Sequence, residues 1–179
     1  VQIGWFENPH DPTRPFIKDI SFEVLAPPEL ASEDEETGGY PDTRVNWRRF
    51  RGECRRLIAG MEAHRGDNPK PVCFFDGSLI VSFAQHLDQD AQAGYVQAVM
   101  ELLDTSERTR VPLVGYVDTS YASDLSAMLD TIYGRAEGGR VADGAFLRPL
   151  LAWGDRTPAW LCARHDSVAP LQGAKYYDR

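Results

Sequence analysis

The chain has 179 residues, of which 42% are hydrophobic and 26% charged, and this is the composition of a globular domain with its own core. No stretch approaches the roughly 18 apolar residues that a spanning helix needs, and the first residues lack the pattern of a secretory signal. We therefore expect a cytoplasmic protein without membrane association. The net charge of −8 excludes a protein that coats nucleic acid with a generally basic surface, but it allows a local basic groove.

The first 42 residues contain scattered aromatic residues between prolines, and an acidic run at 29–36. Proline removes backbone hydrogen-bond donors and like charges repel, so this pattern predicts an extended arm with an acidic, solvated loop. One strand is expected within it, near 16–25. The remaining chain, 43–179, is expected to form the main domain.

A helix is predicted from Thr43 because apolar residues recur every three or four positions. These are Trp47, Phe50, Cys54, Leu57, Ile58 and Met61. The same helix carries the clearest basic patch of the chain, which consists of Arg44, Arg48, Arg49, Arg51, Arg55 and Arg56. A solvated face paired with nearby acids is one interpretation of the patch, and contact with phosphates is the other.

The segment 72–84, VCFFDGSLIVSFA, is apolar except for its DGS element and Ser82. Such a run predicts a central strand buried on both faces, and Asp76 at its end would be costly to desolvate without a cationic partner. Gly77 permits the tight turn that would follow. An ordinary hairpin with an Asp-Gly turn is an equally good interpretation of this segment taken alone.

A second helix is predicted at about 90–104, with Glu101 flanking its buried stripe, and a second apolar strand at 111–118 ends in Asp118. The alternation of helices and strands predicts an α/β protein with a mixed sheet. Strand ends in such sheets converge on one edge, so Asp76, Glu101 and Asp118 are expected to cluster there. Clustered carboxylates repel one another unless a hard cation such as Mg²⁺ or Mn²⁺ binds them.

Further along the chain, a helical stripe begins at Leu125, and Asp143 is expected to cap the helix that follows it. A third strand is predicted at 158–164. The chain has three widely spaced cysteines, and Cys162 lies three positions before His165. No second pair stands at metal-ligand spacing, so a structural role for these residues is favoured over a zinc site.

Three segments, FFDGSLIVSF, RVPLVGYVDTSYASDLSAML and ADGAFLRPLLAWGDRTPAWL, resemble the bacterial form of the NurA nuclease domain. Together they span about 72–161. The resemblance implies a ribonuclease H-like mixed β-sheet flanked by helices, and a NurA-like nuclease domain over 43–179. That family also uses a histidine in a C-terminal section, and no residue here corresponds to it. We therefore expect the domain to be incomplete at its C-terminus.

The resemblance also implies an activity. It suggests a Mn²⁺-dependent (or Mg²⁺-dependent) 5′-to-3′ DNA exonuclease and single-strand endonuclease, acting as a homodimer with a HerA-type hexameric ATPase in end resection and double-strand-break repair. Asp76 matches the family's first metal-binding aspartate, Glu101 its helical glutamate and Asp118 its second aspartate. The basic patch then supplies candidate DNA contacts, of which we name Arg48, Arg51 and Arg55.

Other enzymes fit less well. A haloacid-dehalogenase-type phosphatase needs a nucleophilic aspartate where this chain has Phe74, and Ser78 lacks the G-x-S-x-G context of a hydrolase nucleophile. The alternative that stays open is a non-catalytic ribonuclease H-like module that binds DNA or protein. In such a module, at least one carboxylate of the trio should point away from the others.

Overall fold

The computed structural model describes residues 1–26, 41–134 and 141–160, with side chains from residue 44 onward in the second range. In chain order, the described elements are β1 (Gln2–Glu7), β2 (Ile17–Phe22), α1 (Pro41–Ala63), β3 (Cys73–Asp76), a 3₁₀ helix (Ser82–His86), α2 (Gln89–Thr109), β4 (Leu113–Tyr116), α3 (Asp124–Ile132) and α4 (Asp143–Leu147). The predicted α/β class is confirmed.

The strands of the described ranges form two sheets of two strands each. β1 and β2 are antiparallel, with Gln2 opposite Phe22. β3 and β4 are parallel, with Cys73 opposite Leu113 and Asp76 opposite Tyr116. The long helix α2 connects the two parallel strands, as a parallel pair requires a crossover.

Helices α1 and α2 make the core, and both were predicted. Met61 and Leu102 are fully buried between them, together with Val111 just before β4. The helices approach closely at Gly94, where a Cβ atom would lie 3.3 Å from the Trp47 ring. At its N-terminus α2 is capped by Asp88, whose carboxylate accepts a hydrogen bond from the Ala91 amide at 2.8 Å.

Burial of β3 on both faces was predicted and is wrong. Phe75 is 3% exposed, but Phe74 is 62% exposed. The reason is that α1 covers one face only, through an edge-to-face contact of Phe50 with Phe75 at 5.6 Å between ring centroids. In the apolar run after the DGS element, Val81 and Ala84 are fully buried, Ala84 within the 3₁₀ helix, whereas Phe83 is 49% exposed.

The hairpin of β1 and β2 packs against α1. The strand predicted near 16–25 is confirmed as β2, whereas β1 was not predicted. Ile3 of β1 is buried, and a Cβ atom at Gly52 of α1 would lie 3.1 Å from its side chain. The Arg56 guanidinium lies 3.6 Å from the centroid of the Trp5 ring. The acidic run at 29–36 lies outside the described residues.

Asp143 does cap a helix, but not the one that follows it. Its carboxylate accepts hydrogen bonds from the amides of Leu125 and Ser126 at 3.0 and 2.9 Å, so it caps α3 from a distance of 17 to 18 residues along the chain. The N-cap position of α4 belongs to Ala142. The predicted stripe that begins at Leu125 is confirmed as α3.

The predicted strand at 158–164 falls mostly beyond the described ranges. Residues 158–160 are described and contain no strand, while 161–164 lie outside the described residues, as do Cys162 and His165. Among the described helices, none combines the length and apolar character required to cross a membrane.

Candidate functional site

Two of the predicted site residues leave the parallel sheet at the same edge. Asp76 is the last residue of β3 and stands opposite Tyr116, the last residue of β4. Asp118 follows two residues later, and both aspartates are exposed to solvent. Because the strands are parallel, their carboxyl ends deliver both side chains to one edge, where ligands of α/β sheets gather.

The turn after Asp76 is fixed by two glycines. Gly77 has a φ of +149°, which an L-residue with a side chain rarely adopts. A Cβ atom on Gly115 of β4 would lie 2.9 Å from the Gly77 carbonyl oxygen, so the turn folds directly over β4. The hairpin interpretation is therefore wrong, because β3 pairs with β4 in parallel and a 3₁₀ helix follows the turn.

Ser78 is occupied within this turn. Its hydroxyl donates to the Ile80 carbonyl and accepts from the Ile80 amide, both at 3.0 Å. These bonds give the serine a turn-stabilising role and agree with its exclusion as a hydrolase nucleophile.

Glu101 lies on α2 beside the fully buried Leu102, as the helical pattern predicted. Its carboxylate accepts a hydrogen bond from the Gln97 side-chain amide at 3.0 Å. It lines a groove between α1 and α2, together with Arg51 and Arg55. Gln97, Arg51 and Arg55 thus share this groove with Glu101.

The three predicted carboxylates do not form one metal-binding group here. In the part of the chain that the structure describes, no three His, Cys, Asp or Glu side chains are placed so that they would hold a metal ion. The geometry brings Asp76 and Asp118 to a common edge and leaves Glu101 in the helical groove. The described residues therefore do not make up a complete cation site.

A fourth carboxylate, Glu53 of α1, was missed. Burial raises its pKa, the positive charge of Arg49 opposes that effect, and the negative charge of Asp76 raises the pKa further. Glu53 is thus coupled electrostatically to Asp76. The signal was present in the sequence, since Glu53 stands three residues after Phe50 and four before Leu57, on the core-facing side of the helix.

The arginines of α1 have different surroundings. Arg48 pairs with Glu23 at 3.1 Å, Arg49 lies 3.8 Å from Glu53, and Arg56 stacks on the hairpin. The Arg51 guanidinium lies 5.9 Å from the centroid of the Trp47 ring. Within the described ranges, neither Arg51 nor Arg55 forms an ion pair.

The two described cysteines have the properties of structural residues. Burial raises the pKa of the Cys54 thiol to about 12, and the charges of Glu53 and Glu101 contribute. Burial also raises the pKa of Cys73. Both thiols are free and stay protonated near neutral pH, so neither is an activated nucleophile.

Comparison with family models matches the NurA domain to residues 1–178. The chain belongs to the NurA family. The resemblance expected over 72–161 is confirmed, and the match also includes the hairpin and α1. NurA proteins are metal-dependent nucleases with a role in DNA processing. Searches of curated proteins and of solved structures gave no significant match.

Proposed function

We propose that this NurA-family chain is a DNA nuclease with 5′-to-3′ exonuclease and single-strand endonuclease activity. The observation that carries the proposal is the family match across the chain, combined with two aspartates at the carboxyl edge of adjacent parallel strands. A carboxylate pair on a rigid sheet edge offers the oxygen donors that Mg²⁺ and Mn²⁺ prefer. The sheet with its flanking helices is assigned to a ribonuclease H-like fold on the same basis.

The proposed catalytic and metal-binding residues are Asp76, Glu101 and Asp118, with Mn²⁺ or Mg²⁺ as the cofactor. Support is strongest for Asp76 and Asp118, which share an edge. Support for Glu101 is its place on the helix that joins the two strands.

The proposed cellular role is DNA end resection in double-strand-break repair, in the cytoplasm, as a homodimer with a HerA-type hexameric ATPase. Family membership supports this role. DNA contact is assigned to Arg48, Arg51 and Arg55 of α1, since Arg and Lys side chains are among the groups that contact DNA phosphates.

One observation favours a second candidate function. The described carboxylates form no three-ligand cluster, as expected of a ribonuclease H-like module that binds DNA or protein without cutting it. The nuclease predicts metal-dependent cleavage that depends on Asp76, whereas the module predicts binding of DNA or protein without cleavage.

The test is a nuclease assay with Mn²⁺ or Mg²⁺ on single-stranded and duplex DNA, labelled at either the 5′ or the 3′ end. Asp76→Asn and Asp118→Asn keep the side-chain size and remove the charge. Each is expected to lower the rate at least about 100-fold, since even outer-shell partners of metal ligands cost 10- to 100-fold. Asp90→Asn, at an exposed position in the first turn of α2, serves as the matched control and should retain wild-type activity.

The outcomes separate the candidates. Cleavage that disappears with EDTA and with Asp76→Asn establishes the nuclease. Wild-type protein that binds DNA but cleaves nothing with either metal supports the binding module instead. Full activity of both aspartate variants would show that the site assignment is wrong, even if the chain is a nuclease.

A further inference from the structure

The groove between α1 and α2 is a cavity of about 180 Å³. Its lining combines two cations, an amide and an aromatic ring. These side chains belong to Arg51, Arg55, Gln97 and Trp47, with Glu101 at the α2 side. Of the proposed site residues, Glu101 lines the groove, whereas Asp76 and Asp118 lie at the sheet edge and do not.

The two arginines are arranged for neighbouring anions. They stand at positions i and i+4 of one helix, where Cβ atoms are about 5–6 Å apart. Within the described ranges, neither is engaged by an acidic side chain, in contrast to Arg48 and Arg49. A free guanidinium presents a planar fork of donors that matches two phosphate oxygens.

The local charge differs in sign from that of the whole chain. Two guanidinium groups against the single Glu101 carboxylate give the groove a net charge of +1, in a chain with a net charge of −8. The Gln97 amide donates a hydrogen bond to the Glu101 carboxylate. The part of the groove that attracts anions is therefore the side formed by Arg51 and Arg55. An acidic protein is thereby able to attract an anion at one place.

The size of the groove selects the ligand. A groove of about 180 Å³ admits part of the backbone of one strand and is far too small for a duplex. The Trp47 ring forms an apolar wall beside Arg51, as in sites where single strands combine backbone charge with aromatic contacts.

We infer that the groove between α1 and α2 binds the backbone of a single DNA strand, with Arg51 and Arg55 contacting successive phosphates. The choice of DNA rests on the proposed function; the anion site itself rests on the geometry. Arg48 lies outside the groove lining and pairs with Glu23. The preference for single strands is thus attributed to Arg51 and Arg55 of α1.

Fluorescence anisotropy with a labelled oligothymidylate in EDTA tests this inference, because no cleavage occurs without a divalent cation. The Arg51→Gln/Arg55→Gln variant should bind about tenfold more weakly or worse. Its plot of log K against log salt should be less steep by about 1.4, which is 0.7 for each lost phosphate contact. The Arg51→Lys/Arg55→Lys variant keeps both charges and should keep the wild-type slope.

Arg65→Gln is the matched control, an exposed arginine beyond the C-terminal end of α1, and should bind within twofold of wild type. Equal affinity and slope for the double glutamine variant would overturn the inference, provided circular dichroism shows both proteins folded. An equal loss of affinity in Arg65→Gln would also overturn the inference. So would duplex DNA that competes for the protein as strongly as single-stranded DNA does. If the wild type bound DNA through the groove but cleaved none, the proposed nuclease activity would be refuted and the inference about the groove would remain valid.

Discussion

Among the described glycines, Gly115 leaves the least room for a side chain, because it lies against the turn that follows Asp76. A Cβ atom at this position would lie 2.9 Å from a backbone oxygen, that of Gly77, and 3.1 Å from the Leu79 side chain. Backbone cannot move aside as a flexible side chain can. We therefore expect Gly115→Ala to displace the turn and with it Asp76, and to destabilise the fold by about 1–3 kcal/mol.

Urea unfolding and the nuclease assay measure the two effects. Gly60→Ala is the matched control, because its Cβ would meet nothing within 4 Å inside α1. An alanine inside a helix stabilises by about 0.5–1 kcal/mol relative to glycine. If both alanine variants gained stability, the close approach of the turn to β4 would be wrong.

At the scale of elements, a histidine links the end of α1 to β1. The Nδ1 atom of His64 lies 2.7 Å from an Asp67 carboxylate oxygen, and Nε2 lies 3.5 Å from a Glu7 oxygen. The hydrogen bond with Asp67 raises the pKa of His64 most, burial opposes this, and Glu7 raises the pKa further. A raised pKa in the folded state means that the protonated ring stabilises the fold.

This link makes a part of the stability depend on pH. The contribution should be complete below the unfolded-state pKa of about 6.5 and disappear as the pH rises through the higher folded-state value. His64→Gln should therefore lower the free energy of unfolding by up to about 1 kcal/mol at pH 5.5 and by less at pH 8.5. Urea unfolding at both values measures the difference. His86→Gln is the control, since the His86 ring contacts the neighbouring Gln85 amide. If His64→Gln lowered the free energy of unfolding equally at both pH values, the stabilising role of the ring's charge would be contradicted.

For the molecule as a whole, local patterns predicted the helices, β2, the strand that ends in Asp76 and the strand that precedes Asp118. Periodicity along the chain reveals which face of an element is apolar, so α1 and α2 were accessible to it. It does not reveal what covers a face, and Phe74 is accordingly exposed where burial was expected. Asp143 caps α3, which lies earlier in the chain, and only the folded structure brings the two together. The sequence pattern assigned this cap to the nearest helix, α4.

The same distinction applies to the candidate site. Aspartates at strand ends are visible in the sequence, and parallel pairing is enough to bring them to one edge. The position of Glu101 depends instead on how α2 packs against α1, and that packing places it with Arg51 and Arg55. Glu53 was not predicted, because arginines dominate the charge pattern of α1 and only the packing of the folded chain buries Glu53 and brings it within reach of the Asp76 charge.

Whether the first 42 residues act as an arm or belong to the domain is a question about the whole molecule, and β1 provides the test. Ile3 is 9% exposed and contacts α1 at Gly52, while Phe6 on the opposite face of the same strand is 73% exposed. Deleting a buried isoleucine side chain to alanine costs about 2–5 kcal/mol, whereas a surface change stays within about 0.5 kcal/mol.

If the hairpin is part of the cooperative fold, Ile3→Ala should lower the urea midpoint of the transition monitored at α1, and Phe6→Ala should not. Helical circular dichroism is the appropriate signal, because it reports on the helices, of which α1 and α2 are the longest described, and not on the hairpin itself. A separable arm would give the opposite result: its loosening would leave the helical transition unchanged in both variants. The contact of Arg56 with Trp5 at 3.6 Å adds a second tie to α1, which is why we expect the first outcome.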